Sequence, residues 1–171
     1  EFAHIPLFFH PAPREILDLG GGAGGIIGGL LRHPVHRIDY AELDPLILHL
    51  VERFATPLTR AELGDPRVEV HYRDGRLFIK EARRRYDLVF VGVPAPQDLQ
   101  TNRLFTREFF EAVRTRLRPG GVFCQWAHTY EIAEQDLQSI VRTFASVFPD
   151  GTLWLVGDGD LLLIGTAADT I

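Results

Sequence analysis

The sequence predicts an α/β domain: a mostly parallel sheet of seven strands with helices on both faces, closed by a C-terminal antiparallel hairpin. Three observations carry this. Apolar runs of strand length alternate with amphipathic segments of helix length along the whole chain. The first run ends in a glycine-rich turn, Gly20-Gly21-Gly22-Ala23-Gly24-Gly25. The last two runs are separated by Gly157-Asp158-Gly159, whose turn chemistry makes a hairpin. At 171 residues one hydrophobic core suffices, so a single domain over 1–171 is expected.

The elements follow in order. Ile16-Leu17-Asp18-Leu19 is a short apolar run closed by glycine and reads as a buried strand, with a helix expected from about Gly25 to Arg32. His36 to Leu43 is the second strand. Asp44-Pro45 then opens a helix with proline in its first turn, where the missing N–H costs nothing, and Ile47, Leu50, Val51 and Phe54 share one face. Asp65-Pro66 turns into a strand from Arg67 to Tyr72, after which Asp74 can cap a helix carrying Leu77, Phe78 and Ala82. Tyr86 to Val91 is almost unbroken in its apolarity, as a strand covered on both faces should be. A long loop from Gly92 to Arg103 precedes Thr106, which caps a helix with Phe109, Phe110, Val113 and Leu117 on its inner side, ended by Pro119-Gly120-Gly121. Val122 to Trp126 is the fifth strand, Glu134 to Phe148 a helix, and Leu153 to Val156 pairs with Leu161 to Ile164.

Composition excludes several classes. The formal charge of -5, with Arg83-Arg84-Arg85 as the one basic run, argues against nucleic acid, whose phosphates need clustered cations. Cys124 is the sole cysteine and lies in an apolar run, so it reads as a buried thiol in a reducing, cytoplasmic setting. No stretch approaches the roughly 18 to 20 apolar residues needed to span a bilayer. The chain opens at Glu1, straight into the apolar Ile5-Pro6-Leu7-Phe8-Phe9, and a fragment of a longer protein is therefore expected. The seven histidines show no H-x-x-x-H spacing and no cysteine partners, so no metal is expected, and no Gly-x-Ser-x-Gly nucleophile motif occurs.

The ends of the first three strands carry the chemistry. Gly20 to Gly25 lets the backbone turn tightly and approach a ligand, and the following helix is expected to aim its N–H groups at the same space. About twenty residues on, Glu42 closes the second strand, where a carboxylate can accept hydrogen bonds from both hydroxyls of a ribose. Asp74-Gly75, past the third strand, can receive an adenine amino group, although helix capping explains Asp74 equally well. Gly20, Gly22 and Gly25 also satisfy the dinucleotide pattern of NAD enzymes. Pro119-Gly120-Gly121 and the closing hairpin favour instead the Rossmann-like S-adenosylmethionine-dependent methyltransferase fold. The cofactor-binding set is thus Gly20, Gly21, Gly22, Glu42, Leu43, Asp74, Gly75 and Gly92.

From Pro11 to Gly165 the chain resembles the spermidine synthase family of polyamine aminopropyltransferases. The residues that carry the resemblance are the GGGxGG loop, Ala41-Glu42-Leu43-Asp44-Pro45, Asp65-Pro66-Arg67-Val68 leading to Asp74-Gly75, Tyr86-Asp87, and Leu104-Phe105-Thr106-Arg107-Glu108-Phe109-Phe110. Leu153-Trp154-Leu155-Val156-Gly157 looks like the bacterial versions fused to membrane-spanning segments, which implies a cytoplasmic domain tied to a membrane through another part of its parent protein. The resemblance implies transfer of an aminopropyl group from decarboxylated S-adenosylmethionine to a small-molecule amine acceptor, and leaves a homodimer open.

Three acids of that family pattern are missing. The family's fourth strand ends in Asp-x-x-Asp-Pro, and here Gly92 and Ala95 occupy the acid positions; the acid within the glycine loop is Ala23. Efficient spermidine synthesis is not expected from such a pocket, because a partly buried ammonium needs a partner. Asp98 and Glu131 remain as acids within reach, and Gln125 as a polar group at the end of the fifth strand. The alternatives are a catalytically inactive binding or regulatory domain, and a methyltransferase using S-adenosylmethionine itself.

Overall fold

The structure, a computed structural model, describes residues 1–93 and 101–167. A short helix α1 (His4–Leu7) precedes β1 (Glu15–Leu19), α2 (Ile26–Leu30), β2 (Arg37–Glu42), α3 (Pro45–Arg53), α4 (Pro57–Leu63), β3 (Val68–Tyr72), α5 (Gly75–Glu81) and β4 (Tyr86–Val91). A 3₁₀ turn (Thr101–Phe105) leads to α6 (Arg107–Arg116), β5 (Leu117–His128), α7 (Glu134–Val147), β6 (Thr152–Val156) and β7 (Asp160–Thr166). The seven strands form one sheet in the order β3-β2-β1-β4-β5-β7-β6. Its first five strands run parallel, and β7 pairs antiparallel with both β5 and β6. The fold class expected from the sequence is the one found, hairpin included.

Two cores cover the two faces. On one, Phe109, Phe110, Phe123, Phe144 and Phe148 pack ring against ring over Leu17, Leu19, Val89 and Val91. On the other, Ile16, Ile27, Leu30, Ile38, Tyr40, Leu88 and Phe90 pack with α1 and α2. The alternation of neighbouring residues between the faces follows from the two-residue period of a strand. Cys124 is buried and unpaired, and burial pushes its thiol up from the ordinary range. No helix among the described residues is long and apolar enough to cross a membrane.

Four local features differ from the sequence reading or add to it. The apolar stripe of α3 faces outward: Ile47, Leu50 and Phe54 are exposed, and Leu48 is the residue driven into the core. Leu117 is not the last residue of a helix but the first of β5, because Pro119 bars the residue before it from helical geometry and the chain is extended from Leu117 on. Pro119-Gly120-Gly121 then forms a bulge within β5, the six residues from Leu117 to Val122 standing opposite the three from Tyr86 to Leu88. Finally, α4 was not foreseen; Thr56 opens it through a capping box with Thr59, and Pro57 fills its first position.

Candidate cofactor site

The strand order reverses at β1, whose neighbours β2 and β4 lie on opposite sides of it, and open α/β sheets place their ligands at the carboxyl ends of strands beside such a point. A cleft opens there. It is lined by Leu19 and Gly20 from the end of β1, Ala41, Glu42 and Leu43 from β2, Asp74, Gly75 and Arg76 from the start of α5, Val93 after β4, and Thr101 and Leu104 from the 3₁₀ turn. Five of the eight expected cofactor residues, Gly20, Glu42, Leu43, Asp74 and Gly75, therefore meet in one place.

The other three stand behind it. Gly21 and Gly92 hold the floor together: the Gly92 N–H donates to Leu19 C=O (3.1 Å), and a Cβ on Gly92 would lie 2.3 Å from the Gly20 carbonyl oxygen. A Cβ on Gly21, itself at φ +71°, would lie 2.5 Å from the Gly92 oxygen. Gly22 covers Asp18, and a Cβ there would meet Asp18 Oδ2 at 2.1 Å. The two backbones interlock as closely as they do because no side chain intervenes. Ala95 and Asp98 lie outside the described residues.

Glu42 is buried yet lines the cleft. Tyr40 Oη donates to one carboxylate oxygen (2.9 Å) and the Asp44 N–H to the other (3.1 Å). Each oxygen keeps a lone pair free, which suits a pair of vicinal hydroxyls. Asp74 caps α5, accepting from Arg76 N (2.8 Å), and its carboxylate also receives the Arg76 guanidinium. That side-chain hydrogen bond leads among the causes that hold the Asp74 carboxyl below its usual range. The cap and the guanidinium thus compete with any adenine amino group for this carboxylate.

Helix α2 does not aim its first N–H groups at the cleft. Glu62 of α4, fully buried, accepts from Gly24 N (3.0 Å) and Gly28 N (2.8 Å) instead. The second helical glycine, Gly29, packs on α1, where a Cβ would meet Ala3 at 2.7 Å, so neither Gly28 nor Gly29 serves close helix–sheet packing. Beneath the loop, Asp18 is fully buried with neither oxygen hydrogen-bonded, and burial first, then Glu42 and Glu62, lifts its carboxyl well above the usual range. The acid was visible in the sequence inside an apolar run. Arg76, Val93 and Thr101 carried no comparable sign, and Leu104 entered only as the first residue of the Leu104–Phe110 motif.

A second group of donors, Asp39, Glu69 and His71, comes within 4.8 Å across β2 and β3. Arg37 already bridges Asp39 and Glu69, so a guanidinium fills the cationic position there. Asp39 also accepts from His71 Nε2 (3.0 Å) and Tyr86 Oη (2.9 Å).

Known proteins share this fold. Residues 1–156 match the model of the spermine/spermidine synthase domain. The polyamine aminopropyltransferase of Bacillus subtilis is 31% identical over 148 residues, 86% of this chain and 53% of that protein. Putrescine N-methyltransferase 2 of Nicotiana tabacum is 35% identical over 147 residues, 85% of this chain and 41% of its own length. Among solved structures, a spermidine synthase in complex with the transition-state analogue AdoDATO superimposes with a TM-score of 0.81 at 26% identity, covering 97% of this chain and 59% of that one. The chain spans about half the length of the curated relatives it matches.

Proposed function

The chain belongs to the spermine/spermidine synthase family, and from that premise we propose that it binds an adenosyl sulfonium, S-adenosylmethionine or its decarboxylated form, for alkyl transfer to a small-molecule amine. One observation carries the reading: Gly20, Glu42, Asp74 and Gly75, from three successive strand ends, line a single cleft. Leu19, Ala41, Leu43, Val93 and Leu104 offer apolar walls to a flat ring. Glu42 offers two anchored acceptors to a ribose, and Asp74 a third acceptor at the far end.

When bound, the sulfonium supplies an electrophilic carbon. The protein's own residues position it, exclude water and deal with the amine, which must be neutral to react. Gly92 cannot supply the family's carboxylate, and the Gly20 carbonyl leaves no room for one to be restored there. Aminopropyl transfer is the leading reading, because it is the activity named for the Bacillus subtilis relative. Methyl transfer is the second, favoured by Ala23 in place of a loop acid and by the identity to a putrescine N-methyltransferase. A binding domain without catalysis remains the third.

Titration calorimetry with S-adenosylmethionine, its decarboxylated form and methylthioadenosine tests the proposal. Binding of at least one is expected, with Glu42→Ala weakening it by tenfold or more, as loss of a buried charged acceptor costs about 2–5 kcal/mol. Preference between the first two separates methyl from aminopropyl transfer. No binding by any of the three at millimolar concentration overturns the reading.

A further inference from the structure

The two edges of the sheet are built differently. β3 closes one edge and β6 the other. A strand at an edge presents unpaired N–H and C=O groups along its outer side, and soluble proteins guard it with charge, proline or a bulge. β3 is guarded: it carries Glu69 and His71, and Arg37 of the neighbouring β2 bridges Asp39 and Glu69. β6 is not. Thr152-Leu153-Trp154-Leu155-Val156 contains no charged residue and no proline, and it pairs residue for residue with β7 without a bulge.

This edge is also apolar on both of its faces. Leu153, Trp154 and Leu155 are 49%, 44% and 68% exposed. The Trp154 indole N–H donates to Thr152 Oγ1 (3.0 Å), so the strand satisfies its own side-chain polar groups and leaves the ring as surface. Phe9 packs edge-on against that ring at 5.9 Å, and Phe8 beside it is 79% exposed, which carries the patch onto the end of α1. Phe8, Leu153, Trp154 and Leu155 together leave roughly 500 Å² of apolar surface open, within the range of the largest patch on a typical monomer, which is often functional. Two such patches supply the roughly 1,000 Å² that a specific interface needs.

We propose that two copies of this chain join edge to edge, β6 against β6, antiparallel about a two-fold axis at Trp154, so that their sheets run on as one. The strand is its own complement in that arrangement. Leu153 comes opposite Leu155, Thr152 opposite Val156 and Trp154 opposite its copy, each pair on one face of the sheet, and no charge within the strand meets a like charge. Asp150 and Asp158 lie beyond the ends of the strand, in its turns. The guarded β3 edge stops further growth, which closes the assembly at two. β6 is the fourth strand from β1, about 20 Å away at ordinary strand spacing, so the pairing is independent of what the nucleoside cleft binds.

Sedimentation equilibrium of the 171-residue chain, from about 1 to 500 µM, tests the proposal. A monomer–dimer equilibrium in the micromolar range is expected, with Leu155→Lys weakening it tenfold or more, because two ammonium groups must then enter one apolar seam. Oxidative crosslinking fixes the register. Residues directly opposite each other in an antiparallel pair have Cα atoms about 4.5–5.5 Å apart, within disulfide reach, so Trp154→Cys should crosslink to its copy. Leu153→Cys should not, since the two copies of position 153 are offset by two residues along the strand, beyond the roughly 7 Å that a disulfide can bridge. Cys124 is buried and does not compete. Should Leu155→Lys fail to fold, the two cysteine variants decide. A parent chain that stays monomeric throughout leaves the edge to some other occupant and overturns the inference. A dimer that Leu155→Lys leaves intact, crosslinking as ready at position 153 as at 154, or growth beyond two copies overturns it as well.

Discussion

Asp18 lies at the centre of the sheet with both carboxylate oxygens unpaired, and its burial first, then the charges of Glu42 and Glu62, keeps it protonated well above the usual carboxylate range. Its folded pKa exceeds its unfolded one, so its contribution to stability is fully present below the unfolded pKa and is lost as pH rises from there through the folded value. The loss can reach about 1.4 kcal/mol per pH unit. Asp18→Asn keeps the shape of the neutral acid without the titration and should therefore hold its stability as pH rises while the parent protein loses some. Urea midpoints taken from acid to neutral pH decide it, and parallel profiles for the two proteins would show that Asp18 is ionised and solvated. The sequence showed this acid in the middle of an apolar run, but not that Gly22 folds back over it so closely that a Cβ there would lie 2.1 Å from Asp18 Oδ2. Glu42 was legible because strand ends in a parallel sheet gather on one edge. Glu62 was not, since its work on Gly24 and Gly28 depends on a helix that the hydrophobic pattern did not disclose.

Helices α3 and α4 show where pattern stops being informative. Periodicity groups Ile47, Leu50 and Phe54 on one side of α3 without saying what that side meets, and in the fold it meets solvent. Leu48 carries the packing instead. Leu48→Ala should cost about 2–5 kcal/mol, whereas Leu50→Ala should stay within about 0.5 kcal/mol of the parent. Chemical denaturation of both variants checks the assignment, and the reverse ranking would mean that α3 is rotated about its axis. For α4 the signal was present but small: Thr56-Pro57 is a cap followed by a first-turn proline. The strands were far easier to place, because β4 is buried along its whole length and its apolar run is broken by Asp87 alone. Their ends were less so. In β5, Pro119 and two glycines look like a terminator and act as a bulge, with Gly120 at φ +73° inside the strand.

At the scale of the whole molecule, alternation of elements predicted the sheet, and the hairpin chemistry of residues 157–159 predicted its antiparallel edge. What alternation leaves open is which strands become neighbours. The observed order puts β1 between a pair, β2 and β3, and a quartet, β4, β5, β7 and β6, so β1 is the single rung through which the two parts of the ladder are joined. The pair bears Glu42 and leads into Asp74; the quartet ends in the β6 edge. A two-stranded ribbon is barely stable in water by itself, whereas the quartet keeps its own layer of phenylalanines from α6 and α7. Leu17→Pro, which removes a ladder N–H in the middle of β1, should accordingly unzip the molecule along one seam. Amide exchange should quicken first in residues 38–42 and 68–72 while residues 122–126 stay protected; equal quickening in both would mean that the parts melt as one. The half that would grip the nucleoside is thus a lodger in this fold, kept in place by a strand that contributes almost no side chain to the grip.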